Sequence, residues 1–137
     1  MEIKPLKEFG YGESRITNLF ITPAIMLVGG IALFVMFKSL ILMPFIFGVV
    51  TLVIAIVSSN HKVLKFYEKH VEVQLTIVGR KRIIPYTNIL EVMEGKGALF
   101  VGYKEETEIK RQVKINKKQL NKEVIIEVVR LLNAKKN

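Results

Sequence analysis

The chain has 137 residues, 21 Lys+Arg against 12 Asp+Glu, a formal net charge of +9 and no cysteine. The missing thiols exclude disulfides, thiolate catalysis and cysteine-based zinc sites. All 12 acids are glutamates, which also excludes the EF-hand loop and the Ser-His-Asp triad.

Residues 1–15 (MEIKPLKEFGYGESR) are of mixed charge. Gly10-Tyr11-Gly12 has no strand before it and no Lys-Ser/Thr after it, so a phosphate loop is not supported. The segment reads as a flexible or interfacial cytoplasmic lead-in, with Phe9 and Tyr11 as anchors at headgroup level.

Two apolar runs follow, Ile16 to Phe37 and Ser39 to Asn60, each of 22 residues without a charge, separated by Lys38. A helix rises about 1.5 Å per residue, so ~20 residues cross a hydrocarbon core of roughly 30 Å. Lys38-Ser39 is too short to cross anything, so the spacing predicts a two-helix transmembrane hairpin over residues 16–60 with antiparallel arms. Lys38 can snorkel to the far interface. Neither run carries a polar stripe at 3.6 spacing. Pro23 and Pro44 are expected near the start of each crossing, where a missing amide donor costs least. Gly29, Gly30, Ala32, Gly48 and Ala55 are small enough to let the two backbones approach. The competing reading, a buried hairpin of a soluble protein, fails on size, because so short a chain cannot wrap two such helices in polar structure.

Orientation follows from lysine and arginine counts. Lys4, Lys7 and Arg15 precede the first run, Lys62, Lys65 and Lys69 follow the second, and the turn has only Lys38. Both termini are therefore expected in the cytoplasm, with Lys38, Lys62 and Lys65 at the membrane interfaces. The charged lead, the long apolar run and the second span argue against a cleaved signal peptide.

Residues 61–137 read as one small cytoplasmic domain, holding 17 of the 21 basic side chains against 9 glutamates. Such a domain is drawn to an anionic leaflet by about 1 kcal/mol per well-placed basic residue. The basic residues are scattered and weakly interleaved with aromatics, so no nucleic-acid partner is expected. Val63–Glu68 is strand-like, Lys69-His70 a tight reversal, and Val71–Val78 alternates apolar and polar residues through Ile77 as a half-buried antiparallel strand does. Gly79-Arg80 reads as a turn and Lys81–Tyr86 as extended chain, with Pro85 restricting it to a sheet edge. Ile89–Glu94, Ala98–Tyr103 and Glu108–Ile115 are the remaining strands, broken by Gly95-Lys96-Gly97 and by a hairpin tip at residues 104–107. Asn121 is the expected N-cap, and Val124, Ile125, Val128, Leu131 and Leu132 form one apolar stripe of a final amphipathic helix. The fold class is α+β: a helical hairpin, then an antiparallel β roll or sandwich capped by that helix.

Catalytic chemistry is sparse. Ser14, Ser39, Ser58 and Ser59 all lie before or within the apolar block, so the soluble part has no serine nucleophile. His61 and His70 lack companion ligands for zinc, and Glu105, Glu106 and Glu108 read as a solvated, self-repelling face. No enzyme activity, metal or cofactor is expected. Arg80-Lys81-Arg82 is the densest basic run and the candidate contact for anionic lipid or an acidic partner.

The segments Phe66-Tyr67-Glu68-x-His70-x-Glu72, Ile84-Pro85-Tyr86-x-x-Ile89 and Ile115-Asn116-Lys117-Lys118-Gln119-Leu120 stand in that order behind a membrane hairpin. Over residues 17 to 134 this resembles the bacterial pleckstrin-homology-like (PH-like) membrane proteins, including the small two-pass type whose soluble part follows the hairpin. The resemblance implies a split barrel or sandwich closed by the C-terminal helix, in a bacterial or archaeal cell membrane. It also implies roles similar to self-immunity against membrane-active bacteriocins, with a bacteriocin peptide or another protein as partner beside the lipid bilayer. Eukaryotic relatives bind phosphoinositides through a basic first hairpin loop; here that loop is only Lys69-His70, so such headgroup recognition does not carry over. The function expected is thus a non-enzymatic, membrane-anchored binding module, the alternative being an accessory or assembly subunit of a membrane complex that uses the domain as a docking platform.

Overall fold

The computed structural model describes residues 4–38, 42–105 and 107–136. The chain forms two compact units, residues 13–60 and residues 1–12 together with 61–137. The helical unit is thus an insertion in the β-rich one.

The helical unit contains α1 (Glu13–Phe37) and α2 (Leu42–Ser59), both long and apolar enough to cross a membrane by length and composition. Most of their large apolar side chains, among them Val28, Phe34, Val35, Phe45, Ile46 and Val53, are exposed. Helix α1 starts with Glu13 at the positive end of its dipole. It ends where Lys38 turns into the left-handed region (φ 48°), its N–H closing the last turn on the Phe34 carbonyl at 2.9 Å. Hydroxyls inside α2 are satisfied locally: Thr51 Oγ1 donates to the Phe47 carbonyl at 2.7 Å and Ser59 Oγ to that of Ile56 at 2.8 Å. The helices run antiparallel and meet at small residues, with Gly30 and Gly48 buried and Gly30 against the backbone of Phe45. Gly29 faces open space.

The β unit contains two antiparallel sheets. The first is β1 (Lys7–Gly10), β2 (Lys62–Phe66), β3 (His70–Val73) and β4 (Arg82–Pro85), in that spatial order. The second is β5 (Ile89–Glu94), β6 (Ala98–Lys104) and β7 (Lys110–Asn116). Alternation places Leu99 and Val101 of β6 opposite Ile115 and Val113 of β7, all four almost fully buried, while Lys114 stays exposed. Pro85 ends the edge strand β4, where its missing N–H leaves no ladder bond unmade. A single 3-10 turn, Tyr86–Asn88, links the sheets. Helix α3 (Lys122–Lys135) closes the unit: Asn121 takes the N-cap position, and Ile125, Val128 and Leu132 of the expected stripe are buried. Burying each such side chain stabilises the fold by roughly 1.5–3 kcal/mol.

Several expectations are corrected. The lead-in is not a flexible or interfacial segment: Lys7–Gly10 pairs with β2 as Lys7↔Phe66, Glu8↔Lys65 and Phe9↔Leu64. Phe9 and Tyr11 are accordingly core residues and not headgroup anchors, only 7% and 9% exposed. Phe9 meets Phe66 edge-on at 5.8 Å, an arrangement that ring quadrupoles favour. The β unit therefore does not simply follow the two helices; they interrupt it between its first two strands. The strand expected over Val71–Val78 stops at Val73, because Gln74 turns its side chain back onto the following loop. The first reversal falls on Glu68-Lys69, with the Tyr67 N–H bonded to the His70 carbonyl at 2.9 Å, so His70 opens β3. Pro23 lies well inside α1, because that helix begins at Glu13, ahead of the apolar run. Ser39 of the expected turn and Glu106 of the expected hairpin tip lie outside the described residues.

Candidate functional site

The basic run lies at the end of the β3–β4 connection, residues 74–81. Gln74 builds that connection. Its N–H donates to the Val63 carbonyl at 2.9 Å, and its side-chain Nε2 donates to the carbonyls of Ile77 (3.0 Å) and Gly79 (3.2 Å). The Gly79 N–H closes on the Thr76 carbonyl at 3.0 Å, and a Cβ at Gly79 would overlap the Thr76 hydroxyl. Carbonyls that a continuing strand would have paired are thus taken up by one glutamine, and the loop has a defined shape.

The base of the loop is held from two sides. Tyr11 Oη donates to the Leu75 carbonyl at 2.8 Å, and His61 Nε2 lies 2.8 Å from the Gln74 carbonyl, which requires the Nε2–H form. Leu75 and Ile77 are half-buried, whereas Val78 at the tip is 98% exposed.

Arg80, Lys81 and Arg82 are all exposed but differ in what they touch. Lys81 Nζ lies 3.0 Å from Glu72 Oε1, on a largely buried carboxylate that also accepts from the Tyr67 hydroxyl at 3.4 Å. Among the described residues Arg82 Nη1 makes only a long contact, 3.5 Å, to the Gln112 carbonyl. Arg80 has no ion pair among the described residues. The run therefore offers one uncommitted guanidinium, one weakly held guanidinium and one ammonium already facing a glutamate.

Of the expected interface residues, Lys62 is exposed at the start of β2, and Lys65 pairs with Glu8 at 3.5 Å across β1 and β2. Lys38 is exposed after α1. The glutamates near residue 105 are paired and not mutually opposed: Glu105 with Arg111 at 2.8 Å and Glu108 with Lys104 at 2.9 Å. Pairs this exposed contribute at most about 1 kcal/mol. His70 stacks on Tyr67 at 4.6 Å, and no group of three or more His and Glu side chains among the described residues is arranged for a metal ion.

Sequence reasoning singled out the basic run but missed Gln74 and Val78. The signal was the adjacent apolar pair Ile77-Val78 before Gly79, which breaks a period of two. No family model, curated relative or solved structure matches the chain.

Proposed function

We propose that the chain is a non-enzymatic two-pass membrane protein with both termini in the cytoplasm, and that its β unit is a PH-like module meeting the anionic inner leaflet through the Arg80–Arg82 face. The observation that carries this reading is the insertion of two long, almost wholly exposed apolar helices into a β unit rich in lysine and arginine. Water is a poor solvent for so many exposed Phe, Ile and Val side chains, and lipid is a good one. Two antiparallel sheets closed by a C-terminal helix support the PH-like part, and the exposed, uncommitted Arg80 supports the leaflet contact. Self-immunity against a membrane-active peptide is a role such a module can fill; the resemblance in the Phe66–Glu72 and Ile84–Ile89 segments is its support.

The test uses the full chain. After carbonate washing it should stay with the membrane fraction, and a reporter fused after Asn137 should read as cytoplasmic. In reconstituted vesicles, hydrogen exchange over residues 74–82 should slow when anionic lipid is included. The combined change Arg80→Ala, Lys81→Ala and Arg82→Ala should remove that difference. Exchange indifferent to lipid charge, with a stoichiometric protein co-purifying in detergent, would favour the complex-subunit reading.

A further inference from the structure

We infer that the β3–β4 loop is a third membrane contact, which seats Val78 among the acyl chains of the leaflet while Arg80 binds lipid phosphates; this rests on the membrane reading above.

Four features single out the loop. Among the described residues of the β unit, Val78 is the most exposed large apolar side chain, at 98%, ahead of Ile126 at 68%, Leu6 at 62% and Ile83 at 58%. An apolar side chain so placed gains nothing from the fold and gains by leaving water. The loop beneath it is already shaped by the two bonds from Gln74 Nε2 and by the Gly79–Thr76 turn, so little ordering is needed on contact. Cations follow the tip at once. Arg80 is two residues away and Lys81 and Arg82 come next, an arrangement in which the valine enters the hydrocarbon edge while guanidinium groups stay with phosphates.

The fourth feature is the tether. Leu75 and Gln74, at the loop's base, are bonded to Tyr11 and His61. Tyr11 stands two positions before α1 begins at Glu13, and His61 two positions after α2 ends at Ser59. Two residues reach at most roughly 7 Å. Where α1 and α2 cross a bilayer, the chain itself therefore keeps the base of this loop near the lipid surface.

Ile126 and Ile109, also exposed, stand among charges of both signs. Ile126 has Lys122, Glu123 and Arg130 around it at helical spacing, of both signs. Ile109 stands between Glu108 and Lys110, again of both signs. The charge next to Val78 is complementary to an anionic leaflet, and its expected depth is that of other interfacial elements, about 5–10 Å into the headgroup and acyl boundary.

The natural absence of cysteine allows one label per molecule. The full chain carrying Val78→Cys, labelled with the polarity-sensitive dye NBD, is reconstituted into vesicles of phosphatidylcholine and phosphatidylglycerol. Ile126→Cys serves as the reference. The expected result is blue-shifted emission at position 78, quenched by brominated acyl chains, with water-like emission at position 126. Adding Arg80→Ala or Gln74→Ala should lower the quenching, the first by removing the phosphate contact and the second by loosening the loop. Water-like emission at position 78, from protein that still resists carbonate extraction, overturns the inference and leaves the two-pass reading intact. A blue shift without quenching by brominated lipid also overturns it, because a second copy of the chain and not lipid then covers the tip. Release of the protein by carbonate overturns both readings together.

Discussion

The hydroxyl of Tyr11 and the imidazole of His61 hold neighbouring carbonyls of one loop, although both long helices lie between them in sequence. Tyr11 Oη donates to Leu75 O and His61 Nε2–H to Gln74 O, each at 2.8 Å, with the two rings 5.7 Å apart. The two ends at which the β unit opens toward the helices are thus fastened to the same connection. Tyr11→Phe and His61→Ala should each lower stability by about 1 kcal/mol, the usual net worth of such a bond. Each should also speed hydrogen exchange over residues 74–81. Because both bonds order one loop, the double variant should depart from additivity by at least about 0.5 kcal/mol. Additive losses in a double-mutant cycle would show that the two bonds act separately.

The first strand carries the second prediction. Removal of residues 1–12 strips β1 from β2 and uncovers Leu64 and Phe66, both about 1% exposed in the intact unit. Residues 61–137 expressed alone should therefore aggregate or lack a cooperative unfolding transition. A chain in which a short glycine-serine linker replaces residues 13–60 should be soluble and unfold cooperatively in urea. In that chain Phe9→Ala should cost about 3–5 kcal/mol, as for other buried phenylalanines. Cooperative folding of residues 61–137 without the strand would refute the discontinuous unit.

The strand and helix periods made most of the β unit legible. The bounds of Ile89–Glu94 are those expected, the buried positions of α3 are those of its apolar stripe, and Pro85 sits on an edge strand. What escaped notice was long-range. Lys7–Gly10 is too short to show a period, and its partner Lys62–Phe66 lies beyond 48 intervening residues of the helical unit. Phe9 and Tyr11 do alternate, but two aromatics ahead of an apolar run look the same whether lipid or a sheet receives them. Val71–Val78 looked like one strand because propensity does not record that Gln74 can satisfy two loop carbonyls at once. Of the basic run, composition gave the charge, whereas only geometry separates Arg80 from Lys81, which already faces Glu72.

Helix contact within the insertion gives a third prediction. A methyl group added at Gly48 would come within 2.9 Å of the Leu27 side chain, whereas one at Gly29 meets nothing within 4 Å. Gly48→Ala forces Leu27 to move and should lower the melting temperature of the full chain in detergent. Larger residues at position 48 should lower it further. Gly29→Ala keeps the contact and removes a helix-interior glycine, worth up to about 1 kcal/mol in helix propensity, so it should be neutral or stabilising. Equal effects at both positions would mean that the helices do not meet at this face.

Tyr86 gives the fourth. Its hydroxyl donates to the Tyr67 carbonyl at 2.8 Å, and Lys135 Nζ reaches the same oxygen at 3.2 Å from a position 4.8 Å from the centre of the Tyr86 ring. The end of α3, the start of the 3-10 turn and the β2–β3 reversal are thereby tied at one carbonyl. Burial pushes the Tyr86 hydroxyl up from 10.0 to about 12. Between those pH values the unfolded chain has lost this proton and the folded chain keeps it. The folded state then binds more protons, so stability falls as pH rises through the window and is fully present below it. At about 1.4 kcal/mol per pH unit the loss reaches at most 2–3 kcal/mol. The readout is the difference between the parent and Tyr86→Phe, which cancels every group the two share, measured by urea unfolding of the linker-closed β unit from pH 9 to 12. The variant should be about 1 kcal/mol less stable at neutral pH, having lost one hydrogen bond. It should lose less stability than the parent as the pH is raised, and parallel curves would mean that the Tyr86 hydroxyl is not the group responsible.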